Sequence, residues 1–228
     1  MTQPVSKLYI VATPIGNLKD ISLRALEILA SVDLVAAEDT RHTRRLLDHF
    51  EIKQKLIAFH DHNERRQTDL LVDRIKAGES VALVSDAGTP LISDPGFRLV
   101  RAARAADVVV EAVPGASALT AALSVSGLPT DQFQFLGFLP AKGRATRLAE
   151  VSQYPGTIIL YEAPHRMASL LETVLEVLGG DRELVICREL TKLYEQVVQG
   201  LAGEVRDQMI RGEIPARGEF VVLISGAT

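Results

Sequence analysis

The sequence predicts an α/β protein in two lobes, the first on a mainly parallel sheet and the second on a mixed one. Strand-like apolar runs and amphipathic helical stretches alternate five times before residue 114. Connections that short call for parallel strands covered on both faces. Pro114-Gly115 then breaks the pattern, because proline holds its predecessor extended and glycine lets the chain turn. A second series follows, ending in Phe220-Val221-Val222-Leu223-Ile224, a continuous apolar run suited to the middle of a sheet. The division falls at residues 1–114 and 115–228.

The elements of the first lobe come in order. Residues 7–12 read as a strand, broken by Thr13-Pro14-Ile15-Gly16-Asn17. Ser22 can cap a helix over 23–30, with Leu23, Leu26, Ile28 and Leu29 on its apolar side. Residues 34–37 form a second strand that ends in Glu38-Asp39-Thr40-Arg41-His42, and a basic helix over 43–50 follows. The third strand, 55–59, closes on His60-Asp61-His62-Asn63. Asn63 is placed to cap a helix carrying Leu70, Leu71, Val72 and Ile75, which Gly78 ends. Residues 81–84 are apolar throughout, long enough for a buried strand and too short for a helix. Gly88, Pro90, Pro95 and Gly96 stop regular structure in the loop behind them, and Ser93-Asp94 is positioned to cap a helix over 97–106. A long polar loop at the carboxyl end of a buried strand is where open α/β sheets hold ligands. Residues 108–113 make the fifth strand.

The helix over 116–125 is apolar nearly all round, so burial on several sides is expected. In the second lobe, strands are expected at 133–138, 156–161, 184–188, 196–199 and 219–225, with helices at 144–153, 167–178 and 201–211. No internal repeat or low-complexity segment is present.

Composition narrows the function. A net charge of −4 argues against coating nucleic acid by bulk charge, though it allows a local basic patch. Aromatic residues make up 5% with no Trp, so base stacking is not the obvious binding mode. A single cysteine, Cys187, lies in an apolar run where it should pack. No apolar run approaches the ~18 residues of a membrane span and no signal peptide is visible, so a cytoplasmic location is expected. G-x-G-x-x-G is absent after the first strand, and so is G-x-x-x-x-G-K-[ST], which disfavours dinucleotide and P-loop chemistry. His60, Asp61 and His62 crowd together, but without a Cys pair or HExxH no metal is expected. Arginines gather at Arg41, Arg44 and Arg45, and at Arg144 and Arg147 beside Lys142. Each group alone reads as a solvated helix face; several beside ligand loops suit an anionic substrate.

The ordered set VATPIGN, AAEDTRHT, HDHNE, SDAGTPLISDPG, PGASALTAALSVSGLP, FLGFLPAKG, YEAPHR, RELTK and GEFVVLISG, from about Leu8 to Gly226, resembles the ribosomal-RNA branch of the tetrapyrrole (corrin/porphyrin) methylase superfamily. The macrocycle enzymes carry G-x-G-P-G-D and G-G-D-P where this chain has Ala12–Asn17 and Ala87-Gly88-Thr89-Pro90, which moves the expected substrate from macrocycle to RNA. The resemblance implies a two-lobed class III methyltransferase with S-adenosylmethionine (SAM) in the cleft between its lobes. It further implies a homodimer that methylates the ribose 2′-hydroxyl of a cytidine in the decoding region of 16S rRNA, within the 30S subunit. Members of that branch continue past the last strand with a small helical segment, whereas this sequence stops at Thr228. The alternatives are a small-molecule methylase of the same fold and a non-catalytic SAM- or RNA-binding module.

For the cofactor, the resemblance points to Thr13, Pro14, Gly16, Ser85, Asp86, Ala87, Gly88, Ile92, Ser117, Tyr161, Leu190 and Gly218. The chemistry agrees: Asp86 offers a carboxylate to the ammonium or to other polar atoms, and Ser117 opens a helix whose amides favour polar groups. A ribose hydroxyl is a poor nucleophile that benefits from a base or a field. Glu38, Lys142, His165 and Glu189 are the candidates. Glu189 can equally pair with Arg188 or Lys192, and His165 can simply begin a helix. Arg41, Arg44, Arg45, Arg144 and Arg166 are the expected RNA contacts.

Overall fold

The computed structural model describes residues 6–227, and its chain divides into two compact units, one ending at Ser117 and the other starting at Ala118.

In the first unit, β1 (Leu8–Val11), α1 (Leu23–Ser31), β2 (Leu34–Ala37), α2 (Thr40–His49), β3 (Leu56–Ala58), α3 (Glu64–Lys76), β4 (Val81–Val84), α4 (Phe97–Ala105) and β5 (Val110–Val113) alternate as expected. The sheet runs β3-β2-β4-β1-β5, with every pairing parallel and β4 at its centre. Strand residues point alternately to opposite faces, so each strand feeds two cores. Val11, Val35, Ala82 and Val84 pack under Ala25 and Leu29 of α1 and Leu47 of α2. Leu8, Ala36, Val81 and Leu83 pack under Leu71 and Ile75 of α3 and Leu99 of α4. All parallel strands therefore end along one edge, which is where the polar loops collect.

In the second unit, α5 (Ala118–Val125), β6 (Phe133–Phe138), α6 (Arg144–Glu150), β7 (Thr157–Glu162), α7 (Met167–Leu178), β8 (Glu183–Arg188), β9 (Gln196–Leu201), α8 (Ala202–Ile210) and β10 (Phe220–Ile224) form a mixed sheet in the order β6-β7-β10-β8-β9. Only β6 and β7 are parallel; β10 lies antiparallel to both β7 and β8, and β8 to β9. Leu148 of α6, Leu170, Leu171 and Val174 of α7 and Val205 of α8 cover Ile158, Leu160, Ile186 and Val222 on one face. All five residues of β10 are buried, as the apolar run requires. Cys187 is buried and reduced, and burial pushes its thiol up to about 12.

Several local expectations are corrected. The basic helix starts at Thr40, because the Asp39 carboxylate accepts from Arg41 N–H at 2.8 Å and caps it; Arg41 and His42 are helical. Asn63 does not cap α3. Its amide is used backwards, accepting from His60 N–H and donating to the Ala58 carbonyl. Neither Ser93 nor Asp94 caps α4: Glu64 of α3 does so from outside, its Oε1 accepting from Gly96 and Arg98 N–H at 3.0 and 3.2 Å. Helix α5 starts at Ala118 and buries only Ala122 and Leu123; Val125 is exposed. Strand β5 begins only at Val110, and β9 runs on to Leu201. Ser22 caps α1 as read, its Oγ 3.1 Å from Ala25 N, and Gly78 closes α3 at φ 107°.

Candidate active site

At the carboxyl edge of the first sheet, three loops are joined by hydrogen bonds. Thr13 and Gly88 exchange two hydrogen bonds, 2.9 and 3.0 Å long, linking the loops after β1 and β4. The buried Thr13 hydroxyl donates to the Ser85 carbonyl, and the Thr89 hydroxyl to the Ala116 carbonyl, which brings in the segment after β5. Gly88 holds φ 83°, and a side chain there would press on Ile15. Thr13, Pro14, Ser85, Asp86, Ala87, Gly88 and Ser117 therefore belong to one linked set of loops. Pro14 is buried, and Gly16 and Ala87 are exposed. Ile92 sits between Leu91 and Ser93, two non-glycine residues at φ 74° and 68°. Left-handed backbone of this kind is costly and collects at functional sites.

Carboxylates interlock behind this edge. Glu38, at the end of β2, accepts from Asp86 N–H at 3.3 Å, while Asp86 accepts from Asp39 N–H at 2.9 Å. The two side chains thus cap each other's strands. Burial raises the Glu38 carboxyl above its ordinary value; the Asp86 N–H opposes this, and the Asp86 and Asp61 charges add to it. Asp94 is pushed up to about 6 by burial, against a hydrogen bond from Ser85 and with the help of Glu38, Asp86 and Asp61. Among the described residues no ion pair reaches Glu38, Asp86 or Asp94. Sequence reasoning assigned Asp94 to a helix cap and missed it here. The available signal was the repeat of Ser-Asp in one loop, Ser85-Asp86 and Ser93-Asp94. A half-buried group of unneutralised carboxylates suits a cationic ligand, and SAM, with its sulfonium and ammonium, fits that donor set.

In the second unit the candidates also share an edge. The parallel pair β6–β7 brings Lys142 and His165 to the end of the sheet where β8 finishes and β10 begins, so Glu189, Leu190 and Gly218 lie there too. Tyr161 packs edge-on against Phe135 and Phe138, and its hydroxyl accepts from Leu119 N–H at 3.0 Å, anchoring the first turn of α5. Lys142 and His165 are exposed, His165 in a single 3-10 turn before α7. Leu190 is buried. Glu189 pairs with Lys192, whose Nζ lies 2.8 Å from its Oε1, and the same oxygen accepts from Glu219 N–H. Gly218 leaves space for that carboxylate: at φ 95°, an added Cβ would lie 2.5 Å from Glu189 Cγ.

Two expected RNA contacts are not surface groups. Arg144 is 8% exposed and bonded to Glu162 and Ser169, because α6 lies over the face of β7 on which Glu162 points inward. Arg166 has a side chain only about a quarter exposed and turns to Glu162 and the Leu139 carbonyl. Arg44 fixes α2 through the Gln54 carbonyl at 2.9 Å. Arg41 is exposed and paired with Asp39, whose carboxyl its guanidinium holds well below the usual range. Arg45 is exposed.

A family model described as Tetrapyrrole (Corrin/Porphyrin) Methylases matches residues 7–206. The chain is 54% identical over 222 residues to "Ribosomal RNA small subunit methyltransferase I" of Xylella fastidiosa, covering 96% of this chain and 81% of that protein. It is 53% identical over 222 residues to the protein of the same name from Vibrio cholerae, covering 96% and 77%. A solved uroporphyrin-III C-methyl transferase from Thermus thermophilus, in complex with S-adenosylhomocysteine, shares the fold at TM-score 0.65 and 19% identity, covering 96% of this chain and 97% of that one. The two-sheet α/β architecture read from the sequence is therefore that of known methylases. The chain belongs to the tetrapyrrole (corrin/porphyrin) methylase family and is a SAM-dependent methyltransferase.

Proposed function

We propose that this enzyme methylates ribosomal RNA of the small subunit, at the ribose 2′-hydroxyl of a cytidine in the decoding region of 16S rRNA, and that it works as a homodimer. The observation that carries the reading is the 54% identity over 222 residues with a protein named for ribosomal RNA small subunit methylation, an alignment that runs through both units. SAM supplies an activated methyl group, so the protein's work is holding, orienting and excluding water.

In the first unit, the joined loops contribute to the cofactor. Asp86 and Asp94 face its positive charge, and the backbone of Ala87–Ile92 lines it. Tyr161 and Leu190 offer an aromatic and an apolar surface to the adenosine. Of the four candidate bases, Glu189 is held by Lys192 and a backbone N–H. Glu38 accepts a single N–H at 3.3 Å and His165 is exposed, so Glu38 and His165 are the groups left to meet a ribose hydroxyl. Arg41, Arg45 and Lys142 are exposed cations suited to phosphates, which position RNA without reading its sequence.

The test is transfer from labelled SAM to purified 30S subunits lacking this methylation, with free 16S rRNA beside them. Methylation of a ribose makes the adjoining phosphodiester resist alkali, so the product should give one alkali-resistant dinucleotide containing a cytidine. Label on a base, or on no RNA, would overturn the reading. Sedimentation at micromolar concentration should give the dimer mass.

A further inference from the structure

The three side chains Arg144, Glu162 and Arg166 form a mostly buried network at the end of β7. Glu162 closes β7 with its side chain 1% exposed. Its Oε2 lies 3.2 Å from an Arg144 nitrogen; its Oε1 lies 3.2 Å from Arg166 Nε and accepts from Ala163 N–H at 2.9 Å. Arg144 also donates to Ser169 Oγ at 2.8 Å, and the Ser169 hydroxyl donates back to the Arg166 carbonyl at 2.9 Å. Arg166 donates from its outer nitrogen to the Leu139 carbonyl. Four segments are thereby tied together: the chain just past β6, the start of α6, the end of β7 and the first turn of α7.

Lys142 and His165 ride on these tied segments. Lys142 stands two residues before Arg144, behind Gly143 at φ 84°, and His165 is next to Arg166. The charges within the network do not cancel, since two guanidinium groups share one carboxylate. Among the described residues, Arg144 Nε and Arg166 Nε are both buried without a hydrogen-bond partner, so Arg166 meets Glu162 as an ion pair and not through an aligned N–H bond. A buried cluster of this kind is a poor source of stability, because an apolar trio of similar size packs as well without the desolvation cost. Its geometry serves orientation instead: the Arg166 guanidinium lies against Glu162 while its outer nitrogen donates to the Leu139 carbonyl, a planar arrangement that the compact ammonium of lysine does not reproduce.

We propose that Arg144, Glu162 and Arg166 are positioning residues that set Lys142 and His165 on one edge for an RNA phosphodiester beside the methylated ribose, with the excess positive charge favouring that anion. The proposal rests on the rRNA reading above and deepens it. The decisive variant is Arg166→Lys, which keeps the charge and loses the bridge from Glu162 to Leu139. With 30S subunits as substrate it should raise KM about tenfold or more, while SAM affinity by calorimetry and the thermal midpoint stay near wild type. Glu162→Gln, which keeps the shape and removes the shared charge, should raise KM similarly; if it does not fold, Arg166→Lys still decides. A wild-type KM for Arg166→Lys would overturn the proposal, and so would a defect seen only in Arg166→Gln, which would make Arg166 a plain charge. If wild-type enzyme leaves 30S subunits unmethylated, the substrate reading fails instead. The His165 imidazole resonances, titrated with inorganic phosphate, then report separately: displaced and phosphate-insensitive signals in Arg166→Lys support the positioning role, and unchanged ones overturn it.

Discussion

Two loops of this enzyme follow the ends of buried strands and bend through left-handed backbone, yet their charges are arranged in opposite ways. The loop after β4 holds Leu91 and Ser93 at positive φ; the loop after β8 holds Glu189 and Thr191 there, at 52° and 67°. Behind the first loop stand carboxylates that no ion pair reaches among the described residues, and both Glu38 and Asp94 are held above their ordinary values, the His60 charge only partly opposing the rise at Glu38. In the second, burial also pushes the Glu189 carboxyl up, but Lys192 and the Glu219 N–H more than offset it, and it settles below its ordinary value. Strain alone therefore does not tell the two loops apart. Their charges do: in the first a proton or an arriving cation would relieve the cost of the buried carboxylates, and in the second Lys192 already does so.

Breaking the paired loop should give the largest effect. Gly218→Ala places a Cβ against the Glu189 side chain at a φ that suits glycine, and should lower stability by about 2 kcal/mol or more, read as a fall in the urea midpoint at unchanged slope.

The unpaired loop should show itself in pH dependence. Between 3.8 and about 6, the folded protein keeps a proton on Asp94 that the unfolded chain has released, so stability falls as pH rises through that window. Solvent screening reduces the effect to about 1–2 kcal/mol. Asp94→Asn should remove this part of the slope between pH 4 and pH 7 and stabilise the protein at pH 7. An unchanged slope would place the proton elsewhere.

Asp86→Asn sharpens the contrast between charge and scaffold. The amide oxygen still accepts from Asp39 N–H, so the fold should hold while SAM affinity drops about tenfold, or about 1.4 kcal/mol, by calorimetry. Equal affinity would assign Asp86 to the scaffold alone. The smallest effect belongs to Lys192→Met, which should cost under about 1 kcal/mol, because the pair is partly solvated, and leave SAM binding unchanged.

Much of this was legible in the chain. Strand and helix alternation gave the parallel sheet, and the apolar run at Phe220–Ile224 gave the centre of the second sheet. Those readings rest on period and on local turn chemistry, which depend only on neighbours in sequence. The failures share one cause. Arg144 looks like a surface residue on a short helix, and only the packing of α6 over β7 shows that Glu162 takes it inward. Asp94 looks like a cap, and only the arrival of Glu64 from another helix leaves its carboxyl among Glu38 and Asp86 instead. A side chain's partner across tens of residues is decided by how the sheet layers stack, so the sequence by itself determined the elements and the family, and the tertiary structure alone decided which charges are paired and which are not.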